Sequence, residues 1–285
     1  MKGIILAGGY GTRLLPISRY INKHLIPVNG IPMIYYPLST LLKMGINEIL
    51  FVTNSKDKIY FSNLLGDGNQ LGCQFHYQGQ AVPQGTGSIF RKVNAFIRNN
   101  DIAIILGDNI FGDFEYKTAS EFLRSDHSSM IYSKFVDHPN RYGIVEIDSD
   151  NQILSIEEKP TKPKSNYAIT GLYLFKKSSL NQKKSLKESD RGEFEITDIL
   201  KSYLQNKQLG CEVIPKSCFW FDAGTFSSLQ TASGILREFE NNYNTKIGCI
   251  EEVAYNQGYI NRKQLTQLAQ HLKTSEYGQY LLDKI

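Results

Sequence analysis

An apolar run, Gly3-Ile4-Ile5-Leu6-Ala7, leads directly into Gly8-Gly9-Tyr10-Gly11-Thr12-Arg13, and Lys23-His24-Leu25-Ile26-Pro27 follows ten residues after Arg13. A short buried strand that ends in a three-glycine loop constrains the chain to a sheet with a strand end open to a ligand. Without a Cβ, glycine lets backbone N–H groups come close to phosphate oxygens. Arg13 and Lys23 set positive charge beside them, which a plain glycine-rich turn after an edge strand would not need. The segment reads as a polyphosphate site, and so as a nucleotide site. Two common nucleotide motifs do not fit. No lysine follows the glycines as a P-loop requires, and Leu14 stands where the third glycine of G-x-G-x-x-G should be.

The first 110 residues alternate strand and helix signals. Strands are expected at Gly3–Ala7, Glu48–Thr53, Phe75–Tyr77 and Ile102–Leu106, and helices at Ile31–Met44, Lys56–Leu65 and Gly87–Ile97. Such alternation implies a parallel sheet covered on both faces. The pattern then changes. Met130–Val136, Ile144–Ile147, Gln152–Ile156 and Ala168–Phe175 read as strands joined by polar turns, and Phe194–Gln205 as a helix. After Gly224 the chain looks helical, most clearly at Ile260–Leu272 and Tyr277–Leu282. Two parts follow: a core over residues 1–225 and a helical segment over 226–285.

With 285 residues and a net charge of +4, the chain is long enough for a large α/β domain and too weakly basic to argue for nucleic acid. Eight lysines and no acid fall between Lys159 and Lys187, a solvated face from which one or two could meet an anion. The four cysteines are scattered, which suits free thiols in a reducing compartment and disfavours zinc. Ile4–Ala7 is too short for a signal peptide core, and no apolar run reaches membrane-spanning length. A soluble cytoplasmic protein without a membrane partner is expected.

Ligands of open parallel sheets bind beyond the carboxyl ends of the strands. Besides the glycine loop, Leu106-Gly107-Asp108-Asn109 puts an acid just past a buried strand, and Trp220-Phe221-Asp222-Ala223-Gly224 supplies a second. Two carboxylates together with triphosphate oxygens would complete a Mg²⁺ site, although Asp-Asn and Asp-x-Gly are also ordinary turn residues. Glu157-Glu158-Lys159-Pro160 ends a strand and could meet sugar hydroxyls through Glu158 and a phosphate through Lys159. Arg191-Gly192-Glu193 precedes a helix.

Taken together, these segments resemble the sugar nucleotidyltransferases. LAGGYGTRL, NKHLIPV, PMIYYPLS, LLGDG, LGDNIF, YGIVE, EEKP, KSNYAITGLY, RGEFEITD, WFDAGT and YGQYLL stand in that family's order along nearly the whole chain. KSNYAITGLY, EITD and EEVAYNQGYI are closer to its thymidylyltransferase branch than to uridylyl- or cytidylyltransferases. The resemblance implies an α/β fold: a Rossmann-like mixed, mainly parallel sheet flanked by helices, with a C-terminal helical appendage. It implies Mg²⁺-dependent transfer of a deoxythymidylyl group from dTTP to glucose 1-phosphate, in a homotetramer built as a dimer of dimers. It also implies roles. Leu6, Gly8, Gly9, Gly11, Thr12, Arg13, Gln80, Gly85 and Asp108 would bind the nucleotide, with Gln80 and Gly85 at the base and Arg13 and Lys23 on phosphates. Asp108 and Asp222 would hold the metal. Asn109, Gly143, Glu158, Lys159 and Arg191 would bind the sugar phosphate. Alternatives are a uridylyltransferase, an enzyme for another sugar phosphate, or a non-catalytic paralogue.

Four departures from the family pattern stand out. His24 replaces a glutamine that many bacterial members carry. Gly85-Thr86-Gly87-Ser88 is less typical near base and sugar. Gly112-Asp113-Phe114 is a shorter and more acidic turn than usual, and Lys216 replaces an arginine of a second, regulatory nucleotide site. Lysine cannot make arginine's bidentate phosphate contact, so weak or altered feedback inhibition is expected.

Overall fold

The computed structural model describes residues 1–81, 85–113, 119–180, 192 and 194–285. Its strands are β1 (Lys2–Ala7), β2 (Pro27–Val28), β3 (Ile31–Pro32), β4 (Glu48–Asn54), β5 (Gln74–Gln80), β6 (Ile102–Leu106) and β7 (Asn109–Phe111), followed by β8 (Ser129–Phe135), β9 (Gly143–Ile147), β10 (Ile153–Glu158), β11 (Tyr167–Phe175), β12 (Leu209–Val213) and β13 (Trp220–Asp222). Nine of them form the central sheet, with β10-β9-β11-β6-β1-β4-β5 as its main path and β8 and β12 joined through β11. The parallel pairs β1–β4, β1–β6, β4–β5 and β8–β12 and the antiparallel links through β11 leave only β10 and β11 running against the rest. The sheet is thus mixed and mainly parallel.

Strand side chains alternate faces, and the apolar runs of β1, β4 and β6 supply both. Ile4, Leu50, Val52, Ile102 and Ile104 pack on one side with Phe90, Val93, Ile199, Leu200 and Tyr203. Ile5, Ile49, Phe51, Ala103 and Ile105 pack on the other with Leu38, Leu41, Phe61, Val253 and Leu265. Each fully buried aliphatic side chain contributes about 1.5–3 kcal/mol. The C-terminal helices share this core: Ile250–Asn256, Arg262–His271 and Glu276–Asp283 on the second side, and Phe226–Tyr243 on a third cluster with Leu14, Val28, Met33, Tyr36 and Ile110. No helix among the described residues is long and apolar enough to cross a membrane.

Several elements differ from expectation. The single helix expected over Ile31–Met44 is a hairpin strand, β3, followed by a helix from Tyr35 to Lys43. Asn29 and Gly30 both take positive φ, 46° and 87°, the geometry of a tight two-residue hairpin loop. The helix expected over Gly87–Ile97 breaks at Val93 into Ile89–Lys92 and Asn94–Ile97. The strands β12 and β13 were not expected. Neither shows period-two alternation, since β13 is three residues long and β12 is half-buried beyond Gly210. The four cysteines are free thiols.

Candidate active site

The carboxyl ends of β1, β5 and β6 open on one cavity of about 630 Å³, a size suited to a small organic ligand. Leu6, Gly8, Gly9, Arg13, Lys23, Gln80, Gly85, Asp108, Asn109, Gly143, Glu158, Lys159 and Asp222 all line it. Residues more than 200 apart in sequence therefore converge on one volume. Gly11 and Thr12 are not part of the lining. Gly11 instead starts the turn Thr12–Leu14 with φ 64°, a left-handed conformation that glycine adopts without strain, and so aims Arg13 inward. Arg191 lies outside the described residues.

Gly8 touches Gln80. A Cβ there would lie 2.0 Å from Gln80 Nε2, so the glycine is what lets the β5 side chain enter the cavity. Opposite them, the ladder of β7 and β13 pairs Asn109 with Asp222, and the Ala223 N–H donates to the Asp108 carbonyl at 2.9 Å. This places two carboxylates side by side. Lys23 Nζ donates to Asp108 Oδ2. Burial works against ionisation of Asp108, but the Lys23 ammonium outweighs it and holds the carboxyl well below the usual range. Asp222 goes the other way: burial, and then the charge of Asp108, push it up, with Arg13, Lys23 and Arg141 opposing. An ionised acid beside one whose ionisation is disfavoured is a donor set that a hard dication would satisfy. The Lys23 ammonium occupies one side of it.

The other wall comes from β9, β10 and the segment that follows. Glu158 pairs with Gly143 across the β9–β10 ladder, and a Cβ on Gly143 would lie 3.3 Å from Glu158 Oε2. Thr197 Oγ1 donates to Glu158 Oε2 at 3.1 Å, fixing that carboxylate. Lys159 holds φ 43°, a strained value for a lysine, with its N–H donating to the Tyr142 carbonyl at 3.0 Å. Such backbone costs about 1–3 kcal/mol and persists where its surroundings impose it. Asn109 is buried, and its Oδ1 accepts from the Gly171 N–H at 3.0 Å and from Trp220 Nε1 at 2.7 Å. Its side chain thus holds β11 and β13 to the site.

His24, Arg141, Tyr142, Tyr173, Glu195, Thr197 and Trp220 also line the cavity. None of them is expected at the site from sequence, although YGIVE, EITD and WFDAGT contain four. Arg141 and Glu195 are charged but stand in a turn and at a helix start, where charge is ordinary, and Tyr142, Tyr173, Thr197 and Trp220 carry no local signal without the fold. Lys216 lies over the Phe135 ring at 4.8 Å and is not part of the cavity lining.

His24 is fully neutral at physiological pH. Burial, and then the Lys23 charge, lower its pKa to about 3. Below the ordinary value near 6.5 the unfolded chain takes up a proton that the folded one refuses, so stability falls with pH by about 1.4 kcal/mol per unit. His24→Gln removes this slope. Between pH 7 and pH 5 the native protein should lose about 2 kcal/mol more than the variant in urea unfolding. Equal losses would refute the assignment.

The model of the family described as nucleotidyl transferase matches residues 2–238. The chain belongs to the nucleotidyl transferase family. Its curated relatives agree over their full lengths. A glucose-1-phosphate thymidylyltransferase of Neisseria gonorrhoeae is 42% identical across 286 aligned positions, covering 100% of this chain and 99% of its own. One of Mycolicibacterium smegmatis is 43% identical, covering 99% and 98%. Among solved structures, one described as a glucose-1-phosphate thymidylyltransferase from Bacillus anthracis, in complex with sucrose, matches with a TM-score of 0.77 at 40% identity, over 84% of this chain and 96% of that one. A UDP-glucose pyrophosphorylase complexed with UDP-glucose matches with a TM-score of 0.71 at 22% identity, over 84% and 98%, and shows the shared fold alone. The chain is therefore an enzyme of the nucleotidyl transferase family.

Proposed function

We propose that this enzyme transfers a deoxythymidylyl group from dTTP to α-D-glucose 1-phosphate, giving dTDP-glucose and pyrophosphate. The observation that carries the reading is the convergence of Arg13, Lys23 and Lys159 with the Asp108–Asp222 pair on one cavity. The names of full-length relatives at about 40% identity support the substrates.

An oxygen of the sugar phosphate forms a bond to the α-phosphorus in line, and the bond from that phosphorus to the β-phosphate oxygen breaks. Pyrophosphate departs with the electron pair. The attacking oxygen is already ionised, so no protein nucleophile or base is required, and catalysis is alignment plus charge neutralisation. Arg13 and Lys23 draw the triphosphate oxygens to the glycine loop. Lys159 fixes the sugar phosphate on the opposite wall, and Glu158, oriented by Thr197, accepts sugar hydroxyls. Gln80 faces the base beside Gly85. Asp108 and Asp222 would hold Mg²⁺, which when bound neutralises phosphate charge between the two substrates. The product suits deoxysugar synthesis of the dTDP-rhamnose kind, in a cytoplasmic homotetramer.

Pyrophosphate release with glucose 1-phosphate, with and without Mg²⁺, and with dTTP or UTP, tests the proposal. Strong Mg²⁺-dependent release with dTTP and weaker release with UTP is expected. Equal or greater release with UTP, or none with either nucleotide, would refute it.

A further inference from the structure

Behind Lys23 lies a set of buried polar side chains that the reaction does not touch. Asp57 Oδ2 accepts from Asn22 Nδ2 at 2.8 Å and from Asn54 Nδ2 at 3.1 Å. With its amide nitrogen turned to Asp57, Asn22 presents Oδ1 the other way. That oxygen accepts from the His24 N–H at 3.0 Å and lies 2.8 Å from His24 Nδ1, capping the turn Lys23–Leu25. Asn22 Nδ2 also reaches the carbonyl of Ala7, the last residue of β1, at 3.3 Å. Asn22, Asn54, Asp57 and His24 are each less than a tenth exposed. No ion pair among the described residues involves Asp57, and the side-chain donors to its carboxylate are the amides of Asn22 and Asn54.

A buried carboxylate held by amides is a costly way to gain stability. What it does here is geometric. It ties the end of β4, which carries Asn54, to the end of β1 and to the turn from which Lys23 reaches Asp108. Lys23 also packs under the loop: Cβ atoms on Gly9 and Gly11 would lie 3.6 Å and 3.1 Å from its side chain. A rotation of the turn would carry the ammonium out of the site.

We propose that Asp57 is a positioning residue: acting through Asn22, it sets the orientation of the Lys23 turn and so holds the ammonium on Asp108. Its consequence for catalysis rests on the function proposed above, but the positioning itself does not. Asp57→Ala should lower kcat about 10–10²-fold, with KM for glucose 1-phosphate within about threefold. In a Lys23→Ala background the same change should cost less than about threefold, because its route to the site is already gone. Asn22→Asp, which sets two carboxylates face to face, should behave like Asp57→Ala. Asp57→Asn keeps an amide oxygen that can accept from both Asn22 and Asn54, and should recover most of the loss.

A readout free of substrate is acylation of Lys23 in the unliganded protein, followed by peptide mass spectrometry. Lys23 should label slowly in the native protein, about tenfold faster in Asp57→Ala and Asn22→Asp, and slowly again in Asp57→Asn. Unchanged Lys23 labelling across the variants, or kcat losses that multiply in the Lys23→Ala background, would overturn the positioning role. Native protein without transferase activity that still shows this labelling pattern would uphold the role and overturn the function instead.

Discussion

Asp222→Asn and Asp108→Asn should each lower the transfer rate roughly 10²–10³-fold, by analogy with losing one donor of transition-state stabilisation, yet move stability in opposite directions. Asp222 lies on the β7–β13 ladder and Asp108 immediately before β7, in different electrostatic circumstances. Burial and the neighbouring Asp108 charge disfavour the ionised form of Asp222. Its folded pKa is raised, so the native protein loses stability as pH rises through the carboxylate range, and above that range the full cost is present. Asn removes the cost, and Asp222→Asn should melt at the native temperature or above it at pH 7. Asp108 is held ionised by Lys23 despite its burial. Asp108→Asn leaves that ammonium without its anion, and should melt lower. Steady-state pyrophosphate release and thermal melts of both variants check this. Either variant keeping more than about a tenth of the native rate would count against both carboxylates as the charge centre of the reaction.

Gly224→Ala should lower kcat about 10–10²-fold with little change in melting temperature. A Cβ at Gly224 would lie 2.5 Å from Arg13 Nη2, 3.0 Å from Arg13 Cζ and 3.1 Å from Asp222 Oδ1. The nearest of these atoms is the far end of a flexible side chain, so the clash is relieved by moving the guanidinium rather than backbone. The loss then appears in alignment of the triphosphate, where displacement by about 1 Å can cost 10²-fold, and not in the fold. Kinetics with the unchanged melting temperature as control decide it. A near-native kcat would show that Arg13 does not act from the position it holds in the unliganded protein.

Much of this site could be read from the chain because its residues carry charge or lack a side chain. Arg13, Lys23, Asp108, Lys159 and Asp222 are conspicuous beside apolar strand runs, and all of them line the cavity. The parallel half of the sheet was likewise readable, since β1, β4 and β6 are continuous apolar runs that only a strand buried on both faces requires. What was not readable depends on partners far along the chain. Trp220 acquires its place by donating to Asn109, and Thr197 by donating to Glu158. Neither residue is unusual where it stands. The hairpin at Asn29-Gly30 did carry a local turn signal, but the apolar stripe from Ile34 onward masked it and extended the expected helix by several residues.

The ladder that brings Asp108 beside Asp222 joins segments separated by most of the core; the Asn109–Trp220 hydrogen bond alone spans 111 residues. A ligand gripping both acids cannot keep its hold while either segment opens. Its binding free energy therefore resists cooperative opening of the whole nucleotidyl transferase core, at about 2.7 kcal/mol for a ligand at a hundred times its Kd. Occupancy should be legible far from the cavity, as slowed amide hydrogen exchange along β1, β4 and β6. A ligand bound across the two acids would in this way stabilise the very fold that presents them.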